Sequence, residues 1–243
     1  MNFLKLIRRN ECKYAFIYTV IMAIAMYTAN RIFDYNYANS EIVRVLVYFE
    51  GLMTVYTILV YIKNYRGQAT GKFRLTSSFV IYALSIGFVT FLYLKDKGYQ
   101  ENQNLFTFII ATNIFVGVSE ELMYRGIVLV GLMKEYGDLK AVIISAVLFS
   151  LLHSVNTLGG FDTISVLLQL LTTFVYGIFA ACMYLQIKSV LPLMLTHALW
   201  DTLIMSKNFI YHNPHIILLM LLVELSISAI SLVRIYNKRI IKL

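Results

Sequence analysis

The sequence predicts an all-α fold, a polytopic membrane helix bundle, and three observations predict it. Of 243 residues, 59% are hydrophobic and 14% charged, against about 45–50% and about 25% in soluble domains. So few charges cannot cover a soluble surface, and the mean hydropathy of +0.72 points the same way. Apolar runs also recur at the ~20-residue length that crosses a bilayer as a helix. Two prolines and 18 tyrosines suit long helices with aromatic interfacial ends. No segment alternates with a period of two over ten residues, as a membrane β-barrel would require. Cys12 and Cys182 supply neither a disulfide framework nor a zinc ribbon.

Taken in order, the runs predict about eight spans: Tyr14–Phe33, Ile42–Ile62, Ser78–Leu94, Leu105–Met133, Ala141–Val155, Thr163–Leu185, Val190–Ser206 and His215–Val233. The first follows basic residues and contains Ala23-Ile24-Ala25, which imitates a signal-peptide cleavage site. Its apolar run continues to Phe33, so a retained helix is the better expectation. The fifth is short and recruits flanking residues. With neither repeat nor low-complexity tract, residues 1–243 form a single integral membrane domain.

Charge orients this bundle. An even number of spans puts both termini on one side. Fifteen of the 21 Lys and Arg then share that side, five fall on the other, and Arg125 lies inside a span. The positive-inside rule places both termini in the cytoplasm. Because the basic residues lie in short clusters between apolar runs, the net charge of +8 reads as topological, and no nucleic-acid partner is expected.

Ionisable side chains inside a bilayer cost a few kcal/mol or more and are functional hypotheses by default. The fourth span carries Glu120, Glu121 and Arg125; the fifth carries His153, and the seventh His197 and Asp201. Glu121 and Arg125 are four apart and share a helix face, with the glutamate in the favoured N-terminal position. Glu120, about 100° away, is left for chemistry. His197 and Asp201 are also four apart, so Asp201 can orient His197 or share a ligand-facing surface with it. At about 1.5 Å per residue from the cytoplasmic ends, Glu120 and His153 lie about 20 Å in and His197 about 12 Å, compatible with one cavity.

Plainer readings stand beside these. Glu121–Arg125 reads first as a structural ion pair, and a membrane histidine commonly makes an interhelical hydrogen bond. Phe149 is packing, Cys182 a small buried hydrophobe, and His212 and His215 flank Pro214 in a solvated external loop. Glu224 stands isolated in the last span without an assigned role. The convergence of paired glutamates, two histidines and an aspartate from three helices lifts the set above these readings.

At these residues the chain resembles the CAAX-processing and bacteriocin-processing (Abi) family of intramembrane proteases. That family's motifs are Glu-Glu-x-x-x-Arg, Phe-x-x-x-His and His-x-x-x-Asn/Asp. Here they are Glu120-Glu121-x-x-x-Arg125, Phe149-x-x-x-His153 and His197-x-x-x-Asp201, in that order, within a protease-like core of about 105–206. The resemblance implies an eight-helix fold with a cytoplasm-facing cavity and peptide-bond hydrolysis by a glutamate-activated water. Glu120 and His153 would hold and deprotonate the water, and His197 and the residue at 201 would stabilise the oxyanion. An ionised Asp201 cannot donate to an oxyanion, so it is either protonated or orients a donating His197. Zinc held by Glu120 or Glu121 with His153 and His197 is a third option, although the His-Glu-x-x-His signature is absent. The expectation is no cofactor, with zinc possible. By analogy the substrate is a membrane-associated peptide or protein in a bacterial cytoplasmic membrane, in peptide maturation or bacteriocin self-immunity. A non-catalytic immunity or scaffold protein is the alternative. Proton-coupled transport is disfavoured, because no inverted repeat or pair of broken helices is present.

Overall fold

The computed structural model describes residues 6–240. Among them the chain is helical, with one isolated antiparallel bridge, Thr70–Ser189, and no strand. The helices are α1 (Asn10–Arg31), α2 (Val43–Asn64), α3 (Ser77–Lys95), α4 (Phe106–Glu121), α5 (Val130–Leu152), α6 (Thr163–Ile187), α7 (Leu191–Ile204), the short α8 (Lys207–His212) and α9 (His215–Ile240). A π-helix, Leu122–Leu129, joins α4 to α5. This is an all-α polytopic bundle of a multi-pass membrane protein.

Among the described residues, length and apolarity alone mark six stretches able to cross a membrane, one of them the 57-residue Gln103–Gly159. A straight helix of that length would run about 85 Å, far beyond a hydrocarbon core of about 30 Å. It bends at Gly137, whose φ of 72° and ψ of 170° leave the helical region. A Cβ there would meet nothing within 4 Å, so the glycine is needed for its positive φ and not for space. Beyond the bend, residues 138–152 run back along the arm they came from. Ser145 Oγ donates to the Tyr124 carbonyl at 2.9 Å, and the Phe149 ring meets that of Tyr124 edge-on at 5.1 Å. At 14 residues, α7 spans about 21 Å, too short to qualify by length alone.

Among the described residues, α1 to α7 and α9 run between two rims, where the connections gather. On the terminal rim, Arg9 pairs with Glu135, Arg74 N–H donates to Ile187 O and Val190 N–H to Ala69 O. On the opposite rim, Tyr37 N–H donates to Gly159 O at 2.7 Å, Asn213 Nδ2 to Asp96 at 3.0 Å and Asn102 Nδ2 to Met205 O. Lys5 and Lys242, both counted in the charge balance, lie outside the described residues.

Small residues bring particular helices close, as lipid-solvated bundles require. A Cβ on Gly117 of α4 would sit 2.5 Å from Met194 O and 3.0 Å from Ala198 Cβ of α7. One on Gly177 of α6 would sit 2.9 Å from Ala146 Cα of α5. These two crossings fix the helices that carry the ionisable residues. Outward-facing side chains such as Phe16, Leu84 and Leu195 are exposed, forming the surface that lipid covers.

Candidate active site

Gly117 and Gly177 determine what meets at the centre. One turn beyond Gly117, α4 ends in Glu120 and Glu121, and the closely approaching α7 presents His197 to both. Its Nδ1 lies 2.9 Å from Glu121 Oε1, and its Nε2 lies 3.4 Å from Asp201 Oδ2 and 3.8 Å from Glu120 Oε2. Beside Gly177, Tyr176 donates its hydroxyl to the same Glu121 Oε1 at 3.0 Å. Arg125, in the π-helix, places Nη1 3.1 Å from that oxygen.

The ion pair read from spacing is therefore present, but Glu121 does more than neutralise Arg125. It accepts from His197 and fixes that ring, a function the sequence offered to Asp201. Asp201 sits on the other side of the imidazole, at Nε2. Arg125 is fully buried, with its guanidinium carbon 4.4 Å from the Phe149 ring centre and 5.3 Å from that of Tyr176. Cation–π contacts of this kind are worth about 0.5–2 kcal/mol when desolvated. Phe149 packs as expected, and what it packs on is the arginine.

His153 begins the 3-10 turn His153–Gly159 that follows α5. Its Nδ1 lies 3.1 Å from Phe149 O. A carbonyl only accepts, so the neutral ring carries its proton on Nδ1 and leaves Nε2 as an acceptor. Glu120 is buried, and its Oε2 has no hydrogen-bond partner within the protein. Glu120, His153, His197 and Asp201 all line one cavity of about 680 Å³, a size typical of ligand sites. Glu121 and Arg125 support it from behind.

Two further carboxylates line this cavity. Glu224 of α9, isolated in the sequence, is brought to the wall. Glu50 of α2 belongs to none of the three motifs, although it interrupts an apolar run just as Glu120 does. It is fully buried, accepts from Ser119 Oγ at 3.4 Å, and leaves Oε1 unpartnered; Ser119 also meets the Tyr18 hydroxyl of α1 at 2.7 Å. Met22 and Met26 of α1 join the lining too, so the wall draws on helices before residue 105. Among the described residues the lining holds four carboxylates and no lysine or arginine.

For zinc, Glu121 gives Oε1 to Arg125, Tyr176 and His197, while its Oε2 has no hydrogen-bond partner within the protein. Among the described residues no three His, Cys, Asp or Glu side chains form a group able to hold a metal ion.

The mouth of the cavity lies on the rim opposite the termini. Tyr37, Ala38, Asn39 and Ser40 of the α1–α2 connection line it, with Phe161 and Met205. Tyr37 accepts from Gln169 Nε2 at 3.2 Å, and loss of hydration pushes its phenol up to about 12, so it stays neutral. Cytoplasmic termini and a cytoplasm-facing cavity, both expected, are therefore incompatible in this fold.

Residues 102–203, about two fifths of the chain, match the family model of the type II CAAX prenyl endopeptidases, Rce1-like. That segment is similar to the family which the three motifs imply, and contains all of them, from Glu120 to Asp201. No curated protein and no solved structure matches the chain.

Proposed function

We propose that the protein is an intramembrane endopeptidase that hydrolyses a membrane-associated peptide or protein with a glutamate-activated water. The observation that carries this reading is the convergence of a partnerless, buried Glu120 oxygen with His153, His197 and Asp201 on one cavity. A buried carboxylate oxygen without a protein partner is costly unless water or substrate meets it, and the cavity gives either access to Glu120. A water donating one hydrogen to Glu120 and the other to His153 Nε2 would be held with its lone pairs toward the substrate carbonyl. As that oxygen attacks the carbonyl carbon, Glu120 takes the proton. The tetrahedral oxyanion is met by donors on the α7 side. His197 Nδ1–H is committed to Glu121, so donation from Nε2 requires the doubly protonated ring, with Asp201 and Glu120 as its carboxylate neighbours. Collapse breaks the C–N bond, Glu120 returns its proton to the departing amine, and the water oxygen stays with its second hydrogen in the new carboxylic acid, which loses that proton on release. The clustering of basic residues on one rim fits a cytoplasmic membrane, and analogy with the family that the motifs resemble points to a bacterial one, in peptide maturation or self-immunity.

The test compares membrane peptides by mass spectrometry between cells carrying wild type and Glu120→Gln. Gln keeps the size and polarity but cannot take the proton. A full-length precursor should accumulate with the variant at equal protein abundance. Unchanged processing would refute the mechanism and leave the scaffold reading.

A further inference from the structure

We infer that this cavity is served from the non-cytoplasmic side, and that its substrate is an exported polypeptide lodged in the outer half of the bilayer. The inference rests on the endopeptidase reading for its chemistry, but on separate observations for its direction.

The first observation is where the walls end. The cavity runs from Glu120 and Tyr176 outward to residues 37–40, Phe161 and Met205, all at the rim opposite the termini. No residue of the terminal-rim connections, 65–76, 134–140 or 188–190, lines it. From the bend at Gly137, both Glu120 and His153 lie about 16–17 residues along their arms. At a helical rise that is about 25 Å, most of a hydrocarbon core of about 30 Å. The intervening layer is solid: Met123, Ile127, Val128, Leu129 and Leu132 are fully buried, and a Cβ on Gly131 would collide with Glu11 at 2.3 Å. A cytoplasmic peptide would have to pass through packed helix to reach the glutamate.

The second observation is charge. The connections 65–76, 134–140 and 188–190 carry Arg66, Lys72, Arg74, Lys134, Lys140 and Lys188 against Glu135 and Asp138. They join the basic ends of α1 and α9 on one rim. The mouth rim matches Arg31, Arg44, Lys95, Lys97 and Lys207 with five acids, Asp34, Glu41, Asp96, Glu101 and Asp162. The positive-inside rule reads the Lys and Arg count and makes the terminal rim cytoplasmic. The mouth is then outside.

The third observation narrows the substrate. Near the terminal rim α6 and α9 are joined by Gln186 Nε2 donating to Ser231 Oγ at 2.8 Å. Toward the mouth the same helices give Leu168, Thr172, Ile217 and Leu221 to the cavity wall, and Leu168 and Ile217 are also exposed on the outer surface. The cavity therefore reaches the lipid-covered surface there as well as the rim. That geometry suits an apolar segment sliding in from the outer leaflet, with its polar flank at the aqueous mouth.

The experiment reads sidedness without needing activity. In a Cys12→Ser, Cys182→Ala background that still processes its precursor, single cysteines are placed at exposed positions by Ala38→Cys on the mouth rim and Gln68→Cys on the terminal rim. Whole cells are treated with a membrane-impermeant maleimide. Ala38→Cys should label in intact cells and Gln68→Cys only after permeabilisation. The reverse pattern, or labelling of both in intact cells, overturns the inference. The precursor that accumulates with Glu120→Gln is then mapped, and its cut should fall in an exported portion; a cut in a cytoplasmic portion overturns the substrate assignment. If Glu120→Gln leaves the peptide pool unchanged while labelling follows the expected pattern, the endopeptidase reading has failed, and the substrate with it, but the outward orientation stands.

Discussion

The contact at Gly117 offers a quantitative test of how the fold builds the site. In Gly117→Ala the new methyl would lie 2.5 Å from Met194 O and 3.0 Å from both the nitrogen and Cβ of Ala198. Ordinary contact begins near 3.4 Å, and two of these three atoms are α7 backbone, which cannot swing aside as a flexible side chain would. The helices must separate by about 1 Å. His197 rides on that segment of α7, so its 2.9 Å bond to Glu121 would stretch to about 4 Å, beyond hydrogen bonding. Misplacement of about 1 Å in a catalytic group costs on the order of 10²-fold in rate, and overpacking costs about 1–3 kcal/mol in stability. Gly51→Ala is the control: its methyl would meet Phe115 at 3.6 Å, an ordinary contact, and alanine is favoured over glycine within a helix by about 1 kcal/mol. Precursor processing, normalised to membrane abundance, should fall about 100-fold for Gly117→Ala and hardly change for Gly51→Ala. Wild-type processing in Gly117→Ala would refute the argument that this crossing sets the His197 geometry.

Three further outcomes follow from the same contacts. Arg125→Ala strips the buried Glu121 of its countercharge, an effect of about 3–5 kcal/mol, and should lower membrane abundance well below that of Glu121→Gln; equal abundance would remove the structural importance assigned to the pair. Asp201→Asn should keep processing within about tenfold, because Glu121 already fixes the His197 ring and an amide can donate to an oxyanion. Asp201→Ala, losing that polar group, should fall by about 10²–10³-fold; an Asn variant as weak as the Ala variant would show that a charge at 201 is needed. Chelation should leave processing unchanged in isolated membranes, whereas loss that zinc alone restores would move the reaction to metal-assisted hydrolysis.

What could be read before folding, and what could not, divides on physical lines. Burying Glu120, His153 and His197 in a bilayer is expensive wherever helices cross, so their presence in apolar runs was legible, and the ordered spacing carried the family resemblance. The same rule should have caught Glu50, which breaks the run between Phe49 and Gly51; it was lost for want of a motif partner, not for want of a signal. Glu224 has no assignable role from sequence, since nothing along α9 indicates the cavity that it lines. Helical arithmetic at 100° per residue put Glu121 beside Arg125 correctly. It could not put Glu121 on His197, because that bond depends on α4 and α7 approaching at Gly117, and helix crossings are invisible to a wheel. The eight-residue π-helix Leu122–Leu129 is a second such limit: beyond Glu121 the angular register departs from 100°, and the stretch that carries Arg125 toward Phe149 has no signature in hydrophobic pattern. The direction of the mouth is the deepest case. Charge could orient the termini and motifs could group the candidate site residues, but only the path of the chain through the 3-10 turn His153–Gly159, bonded to Tyr37 across the rim, ties the cavity they line to the rim with fewer cations.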